Sequence, residues 1–157
     1  MERTLVLDSI QKVGKEVKVL GWVAGVRDHG KIFFMDLRDR TGIIQCVGQN
    51  LVKVSVESVV EIVGEVVKRP KKLVNKNLET GKIEISVKEI KVISLSKELP
   101  FPIDTEGFEI DENIRGKYRY LDLRRPRMTR NIRVRSKVVQ FLTNWLINRD
   151  FVQIETP

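Results

Sequence analysis

The sequence is poor in the residues that build disulfides and metal sites. Its 157 residues include one cysteine, Cys46, and one histidine, His29. A lone cysteine cannot form an internal disulfide, and a zinc ribbon or finger needs a cluster of cysteine and histidine ligands. The sequence therefore predicts no metal site, and it favours a reducing, cytoplasmic location, where disulfides are rare.

Long apolar runs are also missing. The chain has no stretch of 18 or more consecutive apolar residues, and residues 1–7 lack the apolar run of a signal peptide. We therefore expect no membrane partner. The sequence also lacks a glycine-rich phosphate loop and any pairing of a nucleophile with a base, so it offers no candidate catalytic residue.

Positive charge is what the sequence has in excess, with 29 Lys and Arg against 21 Asp and Glu and a formal net charge of +8. The excess is local. Residues 115–135 contain nine basic side chains and a single acid, Asp122, whereas the rest of the chain is balanced. A basic segment favours a nucleic-acid partner without establishing one.

Short strands separated by turn signals fill the chain from about residue 16 to 95. Alternating apolar and polar residues predict strands at 16–23, 31–39, 43–47, 58–68 and 82–95, and Gly25 would let the first strand bend or bulge. In the second strand a period of two divides the side chains into an inward set and an outward set: Phe33, Met35 and Leu37 against Phe34, Asp36 and Arg38. The fold class is mainly β, and the pattern indicates a small antiparallel barrel or sandwich.

The pattern changes after residue 98. Prolines at 100 and 102 stop regular structure, and an acidic stretch follows, so residues 99–130 are typical of a linker. Apolar residues from 132 to 147 recur at the spacing of an amphipathic helix, and residues 151–155 predict a short strand. The apolar face of the helix has no evident partner in this chain, which predicts a missing domain or a partner subunit.

Three outward-phase side chains are candidates for binding nucleic-acid bases. An exposed ring at Phe34 would stack on an unpaired base, which is worth roughly 1–3 kcal/mol, unless a loop or the linker covers it. Gln45 and Glu84 could read base edges, although a single residue of this kind is more often an ordinary solvated surface residue.

Other candidates lie in the turns. Arg27 could reach a base or a phosphate, but an arginine followed by Asp28 in a hairpin is commonly structural. A basic loop surrounds Pro70 and would follow a phosphate backbone, or else form a solvated surface: Lys68, Arg69, Lys71 and Lys72. His29 fits a recognition or hairpin role better than acid–base catalysis.

These features together resemble a known family. Residues 21–23, 27–28, 34–45 and 80–84 resemble the N-terminal anticodon-binding domain of aspartyl-tRNA synthetases. Residues 117–126 resemble the linker of that family, and 151–157 are similar to motif 1 of class II synthetases, whose helix–strand unit builds the dimer interface. The resemblance covers nearly the whole chain, and the matching motifs follow one another in the same order as in the family. It implies an OB-fold, a five-stranded barrel that binds oligonucleotides.

The resemblance also implies roles for individual residues. Phe34 matches the ring that stacks on the middle anticodon base, Gln45 and Glu84 match anticodon-reading side chains, and Arg27 matches an arginine that contacts the anticodon. His29 and Leu73 match positions that vary between members that charge only the aspartate tRNA and members that also charge the asparagine tRNA. The histidine at position 29 resembles the members that also charge the asparagine tRNA.

The resemblance divides the chain into an OB-fold anticodon-binding domain at 1–98, a linker or hinge at 99–130, and the start of a class II catalytic domain at 131–157. Motifs 2 and 3, which hold ATP, magnesium and the adenylate, would lie beyond Pro157. We therefore expect this piece to bind tRNA without activating aspartate, within a cytoplasmic, homodimeric aspartate–tRNA ligase. The basic segment at 115–135 is expected to contact the tRNA backbone or the catalytic domain.

Two rival interpretations remain open at this point. Asparaginyl- and lysyl-tRNA synthetases share the barrel and a similar motif 1, although the string at 119–126 favours the aspartyl family. A stand-alone OB protein that binds single-stranded nucleic acid should not need the helix and strand at 132–157. A further expectation concerns residues 48–57, which are short for the bacterial form of the domain, so the helix expected there is a single turn or missing.

Overall fold

The computed structural model describes residues 1–49 and 53–156. The chain separates into two compact units, Met1–Leu99 and Pro100–Pro157. Across the described residues, no helix is both long and apolar enough to cross a membrane.

The first unit is a closed barrel whose described strands are β1 (Glu16–Asp28), β2 (Phe33–Arg38), β3 (Ile43–Gly48), β4 (Val59–Lys68) and β5 (Ile83–Ser94). Their order around the barrel is β1-β2-β3-β5-β4. Neighbouring strands are antiparallel except β3 and β5, which pair in parallel through Cys46 with Ile85 and Val47 with Ser86. The predicted five-stranded barrel is confirmed. Two 3-10 turns, Leu7–Lys12 and Lys71–Leu73, lie outside the strands.

Alternate side chains of the strands fill the barrel. The predicted inward set of β2 is buried, with Phe33, Met35 and Leu37 all at most 1% exposed. Further buried side chains come from the other strands, so that the core is continuous: Val17, Val19, Val23, Ile44, Cys46, Val60, Ile62, Val66, Ile83 and Ile85. The burial of this apolar surface is the main contribution to the stability of the barrel.

A bulge in β1 reverses the phase of that strand. The register with β2 shifts between Val23 and Gly25, so that Ala24 is an extra residue. Odd-numbered side chains such as Val23 point inward before the bulge, whereas Val26 packs on the core after it. Arg27 is consequently exposed on the outer face. The bend predicted at Gly25 is present, and it is what turns Arg27 away from the core.

Asp39 ties the N-terminal segment to the turn between β2 and β3. Its carboxylate accepts hydrogen bonds from the amides of Val6 (3.0 Å), Thr41 (2.7 Å) and Gly42 (3.2 Å) and from the Thr41 hydroxyl (2.6 Å). Burial alone would raise the pKa of Asp39, but these hydrogen bonds outweigh it and hold the pKa below its ordinary value.

The second unit contains α1 (Glu112–Lys117), α2 (Arg119–Asp122) and α3 (Pro126–Ile147). Helical structure thus begins within residues 99–130, which the sequence pattern assigns to a linker. Asp111 caps α1 by accepting hydrogen bonds from the amides of Asn113 and Ile114. α3 starts at Pro126, six residues before the predicted start at Ile132, because proline is well suited to the first position of a helix.

A buried carboxylate connects these helices. Asp122 is fully buried and accepts hydrogen bonds from Arg115 (3.0 and 3.2 Å), Arg119 (2.8 Å) and Arg125 (2.9 Å). Burial would raise the pKa of Asp122, but these arginines hold it below its ordinary value. Part of the basic segment at 115–135 is therefore committed to contacts inside this unit.

Arg125 is also fully buried and packs against Phe101, with its guanidinium carbon 5.3 Å from the ring centre. Gly107 allows this close packing. Its φ is +80°, and a Cβ there would lie 2.7 Å from the Arg125 guanidinium.

The end of the chain differs from expectation. The predicted strand at 151–155 is not formed, because the described residues offer it no neighbouring strand to pair with. Pro157 lies outside the described residues, as do residues 50–52 of the segment 48–57, in which the sequence predicts a single helical turn or none. The apolar side chains of α3 are exposed, as the sequence predicted: Ile132, Val138, Phe141, Leu142, Trp145 and Leu146.

Candidate nucleic-acid interface

Strand pairing brings the outward candidates together on one face of the barrel. Arg27 on β1 lies opposite Phe34 on β2, and Asp36 on β2 lies opposite Gln45 on β3. Side chains that are directly opposite each other in a sheet share a face. The parallel pairing of Cys46 with Ile85 places Glu84 of β5 beside Gln45. Residues up to 57 positions apart in sequence thus meet on one surface.

These side chains form a continuous polar chain. Arg27 Nη2 lies 3.3 Å from Asp36 Oδ2 and 3.5 Å from Gln45 Oε1. Gln45 Nε2 donates to Glu84 Oε2 at 3.1 Å. Glu84 Oε2 also lies 3.2 Å from Arg69 Nε. Arg27 therefore pairs with Asp36 across the strands, and the hairpin alternative, a pair with Asp28, is not the contact that the structure shows.

Arg69 differs from the other basic residues of its loop. Its side chain is 4% exposed, whereas Lys68, Lys71 and Lys72 are exposed. Arg69 Nε has no well-directed hydrogen-bond acceptor among the described residues, so its contact with Glu84 is an ion pair, and Nη1 donates to the Leu73 carbonyl at 3.4 Å. The Arg69 charge is turned inward toward Glu84, unlike the charges of its neighbours, and a contact of Arg69 with a phosphate backbone stays a prediction.

Phe34 and His29 lie beside the polar chain. The Phe34 side chain is half-buried, and the His29 ring meets it edge to face, with 5.6 Å between the ring centres. His29 is in the turn before β2, where Gly30 has φ +81° and its amide binds the Asp28 carboxylate. The Phe34 ring remains partly open to solvent, which a stacking surface requires.

A pocket of about 650 Å³ opens next to these residues. Its lining includes four residues that the sequence assigns to anticodon or tRNA contact: Arg27, Gln45, Arg69 and Leu73. The rest of its lining comes from the barrel wall and from the loop between β4 and β5: Ala24, Asp36, Ile43, Lys72, Val74, Asn75, Lys76, Asn77 and Leu78. The Leu73 side chain is 64% exposed at this rim. Carboxylates, amides and cations in one pocket offer both donors and acceptors to a nucleobase.

The loop between β4 and β5 is fitted closely to the barrel. The Asn75 amide donates to the Gly81 carbonyl at 3.0 Å, and a Cβ at Gly81 would lie 1.8 Å from the Asn75 carbonyl oxygen. The Thr80 hydroxyl donates to the Ile43 carbonyl of β3. These contacts hold the loop over the pocket.

Cys46 lies on the inner face beneath the polar chain. Burial raises the pKa of the Cys46 thiol, and the nearby negative charges of Asp36 and Glu84 raise it further. The thiol is therefore protonated and unreactive. No group of acidic, histidine and cysteine side chains within residues 1–49 and 53–156 could hold a metal ion.

Sequence reasoning missed two parts of this surface. Asp36 has the same outward phase as Phe34, so the period of two already placed it on this face, but its contact with Arg27 depends on the bulge in β1. The loop residues Asn75, Lys76 and Asn77 have no periodic signal, because their position depends on contacts made far from them in sequence.

Comparison with known proteins agrees with this geometry. The family model described as OB-fold nucleic acid binding domain matches residues 17–93, and the model described as tRNA synthetases class II (D, K and N) matches residues 111–157. The aspartate–tRNA(Asp/Asn) ligase of Syntrophomonas wolfei is 45% identical, over 94% of this chain and 27% of its own length.

Solved structures show the same fold. The aspartyl-tRNA synthetase of Entamoeba histolytica superimposes with a TM-score of 0.85 at 23% identity, over 99% of this chain and 39% of that one. The asparaginyl-tRNA synthetase of Pyrococcus horikoshii superimposes with a TM-score of 0.78 at 26% identity, over 100% of this chain and 37% of that one.

The barrel, its polar outer face and the class II segment define a nucleic-acid-binding OB-fold of the class II tRNA synthetases. Within that class, the relatives that match nearly the whole of this chain, at 45–46% identity, are aspartate–tRNA ligases. The chain spans about a quarter of the length of the curated relatives it matches.

Proposed function

We propose that the chain recognises the anticodon of a tRNA for an aspartate–tRNA ligase, which attaches aspartate to tRNA at the expense of ATP during protein synthesis. One observation carries this proposal. Arg27, Gln45 and Glu84 form one polar chain beside the partly open ring of Phe34. A stacking surface next to groups that can pair with base edges is what recognition of single-stranded RNA requires.

Roles within the site follow from position. Phe34 stacks on an anticodon base, while Arg27, Gln45 and Glu84 offer donors and acceptors to base edges. His29 and Leu73 border the site, and Lys71 and Lys72 are exposed where a phosphate backbone could pass. Arg69 supports the site from behind Glu84.

The remaining features concern the parent enzyme. Residues 99–130 serve as its hinge, and 131–157 begin its catalytic domain. The exposed apolar side chains of α3 support a homodimer or a catalytic domain that covers them. The parent enzyme would use ATP and magnesium, as class II aspartate–tRNA ligases do, and would lie in the cytoplasm.

A binding experiment tests the role of Phe34. Phe34→Ala should weaken binding of the full chain to an aspartate anticodon stem-loop by roughly 1–3 kcal/mol, about 5- to 150-fold in Kd, because one base loses its stacking partner. Phe141→Ala removes an exposed ring of α3, outside the barrel, and serves as the control. If the two variants bind equally well, Phe34 does not stack on the anticodon.

A second question is which tRNAs the parent enzyme charges. His29 beside Phe34 and relatives named for both tRNAs support an enzyme that also charges the asparagine tRNA. In that case the chain should bind the aspartate and asparagine anticodon stem-loops with similar affinity. A strong preference for the aspartate stem-loop would reject the relaxed specificity.

A further inference from the structure

Gln45 lies between a cation and an anion. The Arg27 guanidinium faces its amide oxygen at 3.5 Å, and the Glu84 carboxylate accepts from its amide nitrogen at 3.1 Å. A guanidinium can only donate hydrogen bonds, and an ionised carboxylate can only accept them. Turning the amide over would place N–H against N–H on one side and oxygen against oxygen on the other. The two flanking charges therefore permit a single orientation of the amide.

Each flanking group is itself held by an opposite charge. Asp36 Oδ2 lies 3.3 Å from the same Arg27 nitrogen that approaches Gln45. At the other end, Arg69 Nε lies 3.2 Å from the same Glu84 oxygen that accepts from Gln45. Across the barrel face these side chains follow one another in the order Asp36, Arg27, Gln45, Glu84 and Arg69. The Gln45 amide thus has a negative–positive pair on one side and a second negative–positive pair on the other.

The two end residues, Asp36 and Arg69, are both less exposed than Arg27. The Arg69 side chain is 4% exposed and the Asp36 side chain is 31% exposed, whereas that of Arg27 is 58% exposed. Arg69 is anchored further by its donation to the Leu73 carbonyl. The ends are therefore placed to hold their neighbours, and Arg27 and Gln45 remain open to the pocket.

We propose that Asp36 and Arg69 are positioning residues that fix the direction of the Gln45 amide and thereby determine which base this site selects. Direction matters because an amide offers its donor on one side and its acceptor on the other, and a base edge must present the complementary order. The inference rests on the proposed anticodon recognition for its effect on base choice, but the orientation of Gln45 is a property of the free chain.

Nuclear magnetic resonance of the free chain tests the orientation directly. The Gln45 side-chain amide nitrogen, assigned by its loss in Gln45→Met, should have an order parameter near the rigid backbone value of about 0.85. In Asp36→Asn and in Arg69→Met it should fall below about 0.6, the range expected for the exposed side chain of Gln11. Glu16→Gln, which breaks the exposed pair with Lys88 outside the pocket, should leave it unchanged.

Binding to stem-loops tests the consequence. With aspartate anticodon stem-loops in which each anticodon base is replaced in turn, Asp36→Asn and Arg69→Met should lower discrimination about tenfold at one anticodon position. Discrimination at the other two positions should persist. A purely structural role would weaken binding to every stem-loop equally, and Asp36→Glu, which retains the charge, should restore most of the discrimination.

The outcomes separate the two proposals. An unchanged order parameter of Gln45 in both variants, or a uniform loss of affinity, overturns the positioning role. If the unaltered chain binds no stem-loop, anticodon recognition fails and the order parameter alone decides whether Asp36 and Arg69 hold Gln45. If Arg69→Met does not fold, the more exposed Asp36→Asn decides the question.

Discussion

Single carboxylates stabilise this chain by collecting several hydrogen bonds. Asp39 is 7% exposed and accepts four of them, which join Val6 to the turn that follows β2. Because its pKa is lowered in the folded chain, its ionised form contributes stability above the unfolded pKa of about 3.9. That contribution is lost as the pH falls from there through the folded pKa.

Asp39→Asn should therefore lower the free energy of unfolding near pH 7 by about 1–3 kcal/mol, since an amide cannot accept the same set of hydrogen bonds. The difference between variant and unaltered chain should shrink as the pH is lowered below about 4. Urea unfolding at pH 7 and pH 3 measures both effects. Asp8→Asn, at an exposed carboxylate, is the control, and equal stabilities of the two variants at pH 7 would contradict the role of Asp39.

Side chains in strands were easier to predict than side chains in loops. The period of two in β2 correctly placed Phe33, Met35 and Leu37 inside and left Phe34 outside. The inward turn of Arg69 could not be read from its basic neighbours, because it depends on the ion pair with Glu84, fifteen residues away. The same holds for Asp122, whose three arginine partners become visible only when the helices fold.

Elements of the barrel position the site through local irregularities. The bulge at Ala24 moves Arg27 to the outer face, and the loop between β4 and β5 closes one side of the pocket. Gly25 indicated that β1 could bulge, but a glycine alone does not determine which residue of the strand is left unpaired in the bulge. The start of α3 at Pro126 was, by contrast, available from the sequence, since proline favours the first helical position.

Gly81→Ala should disturb the pocket without altering any side chain that lines it. The new Cβ would meet the Asn75 carbonyl, so the loop must move, at a cost of about 1–3 kcal/mol in the free energy of unfolding. Stem-loop binding should weaken as well, and both effects can be measured by thermal unfolding and titration.

Gly116→Ala is the matched control for that substitution. Gly116 lies in α1, and a Cβ there meets no atom within 4 Å. It should leave stem-loop binding unchanged and keep or slightly raise Tm, because alanine favours a helix. If Gly81→Ala behaves like Gly116→Ala, the loop does not depend on close contact with Gly81.

The whole chain is built of two units, and the proposed binding surface lies within Met1–Leu99. The barrel has its own continuous core, which supports folding without the helical unit. The sequence predicted the change of character near residue 98, because prolines interrupt the strand pattern there. It did not predict the buried ion cluster in which Asp122 binds Arg115, Arg119 and Arg125.

A chain shortened to residues 1–99 should unfold in one cooperative transition. It should bind the aspartate anticodon stem-loop with a Kd within about twofold of the full chain, since all residues that line the proposed site lie within residues 1–99. Calorimetry and titration test the two statements. A large loss of affinity in a folded short chain would show that the helical unit, with its basic residues, contributes directly to stem-loop binding.

The central claim is that this chain selects a tRNA by its anticodon. The most direct measurement compares the affinity of the full chain for an aspartate anticodon stem-loop with that for the same stem-loop carrying three different anticodon bases. The second should bind at least about tenfold more weakly, a difference of about 1.4 kcal/mol. Equal affinities would show that the chain binds RNA by charge alone and would contradict anticodon recognition.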